Sequence, residues 1–189
     1  MPFSLSQRER AGVREKTTDN PRCRYGYSLK ATLALAAVEQ FRYPTPMHWR
    51  RDGYELSDEK SRLDLHAVKA LLDTTYWAAG RSPELHARAI EGSVCFGLFH
   101  HVQQVGFARA VTDFSTFTYF CDVIIAPEHR GHGLGKWMVE TMLAHPDLQT
   151  VTQCLRTRDA HTLYERHGFE RTEYLRRSTN DWSKAAEAL

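Results

Sequence analysis

Apolar and polar positions along this chain follow two regimes that divide near residue 50. Before it, residues 4–24 are polar and charged with no sustained period, a composition that buries too little apolar surface to fold. Ser28–Phe41 reads as one helix, and Pro44 and Pro46 then break the pattern. Residues 1–50 are therefore expected to form a peripheral, disordered extension, and residues 51–189 the folded domain. Met47 stands just ahead of the organised region, so the extension is also readable as a product of start-site choice.

After Gly53 the periods sharpen. Residues 54–57 make a short strand. Leu63, Val68, Leu71 and Leu72 fall on one stripe and predict a helix over 63–74. Ser82, Pro83 and Glu84 supply the cap, first-position proline and first-turn acid of a second helix. Three strand-like runs follow at 94–100, 104–113 and 116–126, the first two joined as a hairpin around His101 and Gln103. A helix from about Leu134 stops near Pro146. Residues 150–157 read as a strand, 159–168 as a helix capped by Asp159 and Gly168, and 169–177 as a last strand. A meander of strands followed by β-α-β-α-β predicts one mixed α/β (α+β) domain.

Composition narrows the function. A formal charge of +2 gives no polyanion field, so neither nucleic acid nor an anionic membrane is expected as a partner. No apolar run approaches the length that crosses a bilayer. The apolar stretch in residues 28–38 lies too far in for a signal peptide and lacks a cleavage context. Cys23, Cys95, Cys121 and Cys154 form no C-x-x-C pair and read as reduced thiols, as in a cytoplasmic protein. The ten histidines show no zinc-site spacing, so no metal is expected.

The chemistry concentrates in "IIAPEHRGHGLGKWMVE", Ile124–Glu140. A strand ends, Pro127 sets the chain direction, and a helix begins near Leu134. The first helical turn leaves amide groups without intrahelical partners, and the helix dipole adds positive potential there. Gly131, Gly133 and Gly135 let the backbone approach an anion, and Arg130 and Lys136 add charge. The spacing is neither that of a P-loop nor of a dinucleotide fingerprint. On glycines alone, a plain connecting turn is as good a reading as a phosphate cradle.

The segment resembles the acyl-CoA signature of the GNAT superfamily of N-acyltransferases, Arg/Gln-x-x-Gly-x-Gly/Ala, at Arg130, Gly133 and Gly135. A second stretch, "TRDAHTLYERHGFE", is similar to that family's late helix at Leu163, Tyr164, Gly168 and Phe169. The resemblance covers about 54–177. It implies a mostly antiparallel central sheet flanked by helices, with a splay between strands four and five. It also implies acetyl-CoA as co-substrate. Backbone groups of Val123 and Ile125 would hold the pantetheine arm, and the amides of Arg130, Gly131, His132, Gly133, Leu134, Gly135 and Lys136 the diphosphate. Tyr164 would supply a proton or hydrogen bond to the leaving thiolate. Many relatives carry an asparagine where Thr157 stands, so that role is not carried over.

Asp122 is the expected general base. Regular alternation would put it on one face with Phe120 and Ile124. A structural acid satisfied by an arginine is the equal alternative. The connection 73–84 is implied to line the acceptor pocket, with Tyr76 and Trp77 as an aromatic wall and Arg81 for an acidic group. The expected activity is direct acetyl transfer to a primary amine of a small-molecule or amino-acid-like acceptor, without an acyl-enzyme. A non-catalytic CoA-binding sensor and longer-chain acyl transfer are the alternatives, and a homodimer is left open.

Overall fold

The computed structural model describes residues 45–150, 152–175 and 177. The expected helix at Ser28–Phe41 and Cys23 lie outside the described residues. Six strands form one open sheet in chain order: β1 (His48–Arg51), β2 (Tyr54–Ser57), β3 (Val94–His100), β4 (Gln103–Thr112), β5 (Phe117–Ile125) and β6 (Thr152–Leu155). All neighbours pair antiparallel except β5 and β6, which are parallel. The helices are α1 (Leu65–Asp73), α2 (Pro83–Glu91), α3 (Leu134–Ala144) and α4 (His161–Glu165). Both faces of β3 are covered, since every residue from Val94 to Phe99 is buried. Phe96, Leu98, Phe107, Met138 and Met142 form the centre of the core.

Local chemistry sets the element ends. Asp64 caps α1 by accepting from the amides of His66 and Ala67, so the helix starts two residues later than the stripe suggests. Ser82 caps α2 with Pro83 in its first turn, as expected. The β4–β5 turn closes on Asp113, whose carboxylate accepts from the amides of Ser115, Thr116 and Phe117. At the end of α3, His145 is buried against Trp49 and Phe96. Its Nδ1 accepts from the Asp147 amide, so Nε2 carries the proton donated to Asp58 at 3.0 Å.

Four sequence expectations need correction. The sheet begins inside the segment set apart as extension. Asp52 and Gly53 both have positive φ and close a two-residue hairpin in which Arg51 faces Tyr54. That is the Asp-Gly turn signal, and the two nearby prolines masked it. Residues 169–175 form no strand, and Tyr174 and Leu175 are exposed. Asp159 does not cap α4: the N-cap is Ala160, with no side-chain cap, and its amide donates to Thr157 Oγ1 at 2.9 Å. Finally, β5 does not alternate regularly. Its register against β4 slips between Phe107 and Arg109, and Asp122 sits in the bulge with φ +56°.

Candidate active site

The parallel β5–β6 ladder is short. Phe117–Phe120 pair with Thr152–Leu155, and there β6 ends. Cys121–Ile125 continue β5 with no strand on that side among the described residues. This is the splay expected between strands four and five, which are β5 and β6 in this chain. The Ala126 amide donates to the Val105 carbonyl on the β4 side at 2.8 Å. In a trans peptide the Ile125 carbonyl then points the other way, toward the open edge. Arg130 Nε meets it there at 3.0 Å. The Ile125 carbonyl is therefore already engaged by the loop itself. Val123 lies beside the bulge, half-buried.

Beyond β5 the chain makes a single 3-10 turn, Pro127–His129, in which the amides of His129 and Arg130 find carbonyls of Ala126 and Pro127. From Gly131 to Lys136, no amide has an acceptor among the described residues; the next one, Trp137, donates to Gly133. Gly131 and Gly133 take positive φ, +85° and +73°, and Gly133 is the N-cap of α3. A Cβ on Gly131 would meet nothing within 4 Å. The space above these amides is open, and the glycines leave it so. This row of donors at the start of an eleven-residue helix fits a diphosphate. Leu134 contributes only backbone, because its side chain is buried in the core. His132 is exposed, with Nδ1 3.3 Å from the His129 carbonyl.

Tyr164 comes to the mouth of the splay through an aromatic ladder. Its ring packs edge-on against Phe169, 5.9 Å between centroids, and Phe169 against Phe120, the last β5 residue paired with β6. Burial pushes the phenol up to about 12, helped by Asp159 and Tyr76. No described residue hydrogen-bonds its hydroxyl. A protonated phenol without a protein partner is a donor held ready.

Asp122 and Arg81 are bonded to each other. The Asp122 carboxylate is almost fully buried and accepts from both Arg81, at 3.1 and 3.0 Å, and Arg109, at 2.6 Å. Arg109 also donates to Ser93, and Arg81 to the Trp77 carbonyl. Both carboxylate oxygens are thus taken by guanidinium donors, and Arg81 is turned inward. The alternative weighed from sequence, a structural acid, fits this geometry. Tyr76 and Trp77 stand edge to face at 4.8 Å, with the Arg158 guanidinium 3.7 Å over the exposed Tyr76 ring. Trp77 Nε1 is buried without a partner among the described residues.

Sequence reasoning missed Arg109, Ser93 and His86. Arg109 lies in the middle of a strand-like run, and its pairing with Asp122 spans a register slip that no local pattern announces. His86 is buried in α2, and desolvation, with Arg81 nearby, lowers its pKa. Its Nε2 has no partner among the described residues. Burial pushes the Cys95 and Cys121 thiols up to about 12, so neither is an activated nucleophile. Among the described residues no group of histidine, cysteine and acidic side chains could hold a metal ion.

Known proteins share the fold and place the family. The acetyltransferase (GNAT) domain family matches residues 91–171. A candidate acetyltransferase of Gibberella zeae is 32% identical over 117 residues, 51% of this chain and 66% of its own length. An uncharacterized N-acetyltransferase of Gracilaria tenuistipitata var. liui is 29% identical over 99 residues, 49% of this chain and 54% of its own length. The chain thus spans less than two thirds of either relative. A crystal structure from Xanthomonas campestris pv. campestris, described as a candidate acetyltransferase of the GNAT family, superimposes with a TM-score of 0.65 at 38% identity, over 69% of this chain and 96% of that one. A diverging strand pair, open amides at the head of α3 and a buried tyrosine packed through Phe169 on Phe120 thus occur in a chain that belongs to the GNAT family of acetyltransferases.

Proposed function

We propose that this protein transfers an acetyl group from acetyl-CoA directly to the primary amine of a small-molecule or amino-acid-like acceptor. The observation that carries the reading is the unpaired amide row Gly131–Lys136 beside the unpartnered stretch of β5. Acetyl-CoA supplies the activated thioester when bound. The amides of Gly131–Lys136 hold its diphosphate by charge-assisted hydrogen bonds and the helix dipole. The open edge of β5 at Val123 offers backbone groups to the extended arm. The Ile125 carbonyl joins it only if Arg130 lets go.

At the reacting end, the new C–N bond forms as the C–S bond breaks, and the amine sheds one proton. Tyr164 Oη, still protonated at any physiological pH, donates its proton to the departing sulfur and recovers one from solvent. The amine proton goes to solvent, since both Asp122 oxygens are occupied. Asp122 instead anchors Arg81, and through it the connection that carries Tyr76 and Trp77. Those rings form an apolar wall for the acceptor. The Arg158 guanidinium above Tyr76 suits an acceptor bearing a carboxylate.

Calorimetry with acetyl-CoA, followed by thiol release across a panel of amines and amino acids, tests the reading. Binding in the micromolar range and amine-dependent thiol release are expected. No heat at millimolar acetyl-CoA would reject the cradle, and binding without amine-dependent release from any acceptor would reject the transfer.

A further inference from the structure

We propose that Arg51 is a further cofactor-binding residue, pairing with the diphosphate held at the α3 amides; the inference rests on the cradle reading above. Arg51 ends β1, whose first three residues the sequence pattern left in the expected extension. The Asp52–Gly53 turn fixes that end of the strand against Tyr54. Tyr54 is tied to the loop in turn, since its hydroxyl lies 3.0 Å from Nδ1 of His129. The hairpin is thus anchored to the segment that leads into the cradle.

The guanidinium reaches the cradle itself. Arg51 Nη2 lies 3.8 Å from the position a Cβ would take on Gly133, and no other atom beyond the loop's own neighbours comes within 4 Å of that point. Arg51 Nε donates to Asp52 at 3.2 Å, and no described residue accepts from its Nη groups. The side chain is 44% exposed. It is both near the amides and free to turn toward them.

Charge gives this position its value. A diphosphate brings two negative charges to the head of α3. The two cations that the sequence offers are each tied in part: Arg130 by its Nε to the Ile125 carbonyl, and the exposed Lys136 to Glu140 at 3.6 Å. Arg51 adds a third charge, whose Nη donors no described residue takes. Its planar fork can meet two oxygens of one phosphate, which a single amide cannot do. The carboxylate of Asp52, 80% exposed, is a weak competitor that solvent readily takes over.

The test compares acetyl-CoA with S-acetylpantetheine, which lacks the diphosphate. Affinities are measured by calorimetry on the full chain, with melting temperatures as a control for folding. Arg51→Ala is expected to weaken acetyl-CoA about ten- to a hundredfold and to flatten its salt dependence. Binding of S-acetylpantetheine should be unchanged. Asp52→Asn keeps a residue that tolerates positive φ and removes the competing charge, so it should bind acetyl-CoA at least as tightly as the parent. Acetyl-CoA binding by Arg51→Ala equal to that of the parent would overturn the proposal and leave the cradle standing. Equal weakening of both ligands would overturn it too, as a loss of structure and not of a phosphate contact. A parent that binds no acetyl-CoA would remove the cradle reading and this proposal together.

Discussion

Tyr164 shows how one side chain acquires its chemistry from what surrounds it. Burial in the aromatic ladder with Phe169 and Phe120 keeps the phenol protonated, and no described partner claims its hydroxyl. Replacing it by phenylalanine removes a donor without stranding an acceptor, so the fold should lose little. Tyr164→Phe is expected to reduce turnover roughly ten- to a hundredfold, the low end for a general acid, because CoA thiolate is a fair leaving group. Acetyl-CoA affinity and melting temperature should stay close to those of the parent. Steady-state kinetics with calorimetry decide it, and a large loss of affinity at unchanged turnover would contradict the role. The sign of the pH effect follows from the raised pKa. The neutral phenol is the folded form, so its contribution to stability is complete below about pH 10 and is lost as pH rises toward 12.

At the scale of elements, the β5 bulge is where local pattern and tertiary structure part company. Asp122 takes positive φ and is clamped by Arg81 from the α1–α2 connection and Arg109 from β4. Removing one member of such a buried set leaves charge uncompensated. Asp122→Asn keeps the shape and the tolerance of positive φ, and it should destabilise the fold by about 3–5 kcal/mol in urea unfolding. A proton acceptor alone would lose turnover at unchanged stability, so the two measurements separate the roles. The sequence carried β2–β6, the cap of α2 and the glycine loop, because each rests on neighbours in the chain: period two, Ser82 before Pro83, a loop between strand and helix. It did not carry the bulge, since nothing within a few residues of Asp122 announces two arginines 13 and 41 positions away. The Asp52–Gly53 hairpin was legible in principle, but Pro44 and Pro46 argued louder. The strand expected at 169–177 lacked a period-two pattern, and among the described residues 169–175 form no strand and Leu175 is exposed.

For the molecule as a whole, the added edge strand matters because it brings Arg51 to the cradle, and Glu55 is what holds that strand in place. Glu55 lies opposite Arg50 in the β1–β2 ladder, accepts from Arg50 Nε at 2.7 Å, and is also bonded by Arg62 next to α1. Hydrogen bonds from Arg50 and then Arg62 hold its carboxyl at about 2, well below the ordinary carboxylate value. A depressed folded pKa stabilises above the unfolded value, near pH 4.5, and the contribution fades as pH falls toward 2. Arg50 is 81% exposed, so solvent screens much of the interaction, and about 0.5–1 kcal/mol is the reasonable scale. Glu55→Gln should therefore melt about 2–4 °C lower than the parent at pH 7, and the gap should narrow by pH 3. A gap of equal size at both pH values would show that the ionised carboxylate is not what fastens β1. Because Arg51 is carried on the same strand, acetyl-CoA affinity of Glu55→Gln at pH 7 should fall in step with the loss of stability, and S-acetylpantetheine affinity should not follow it. A variant that melts early yet binds both donors like the parent would mean that β1 is dispensable to the cradle.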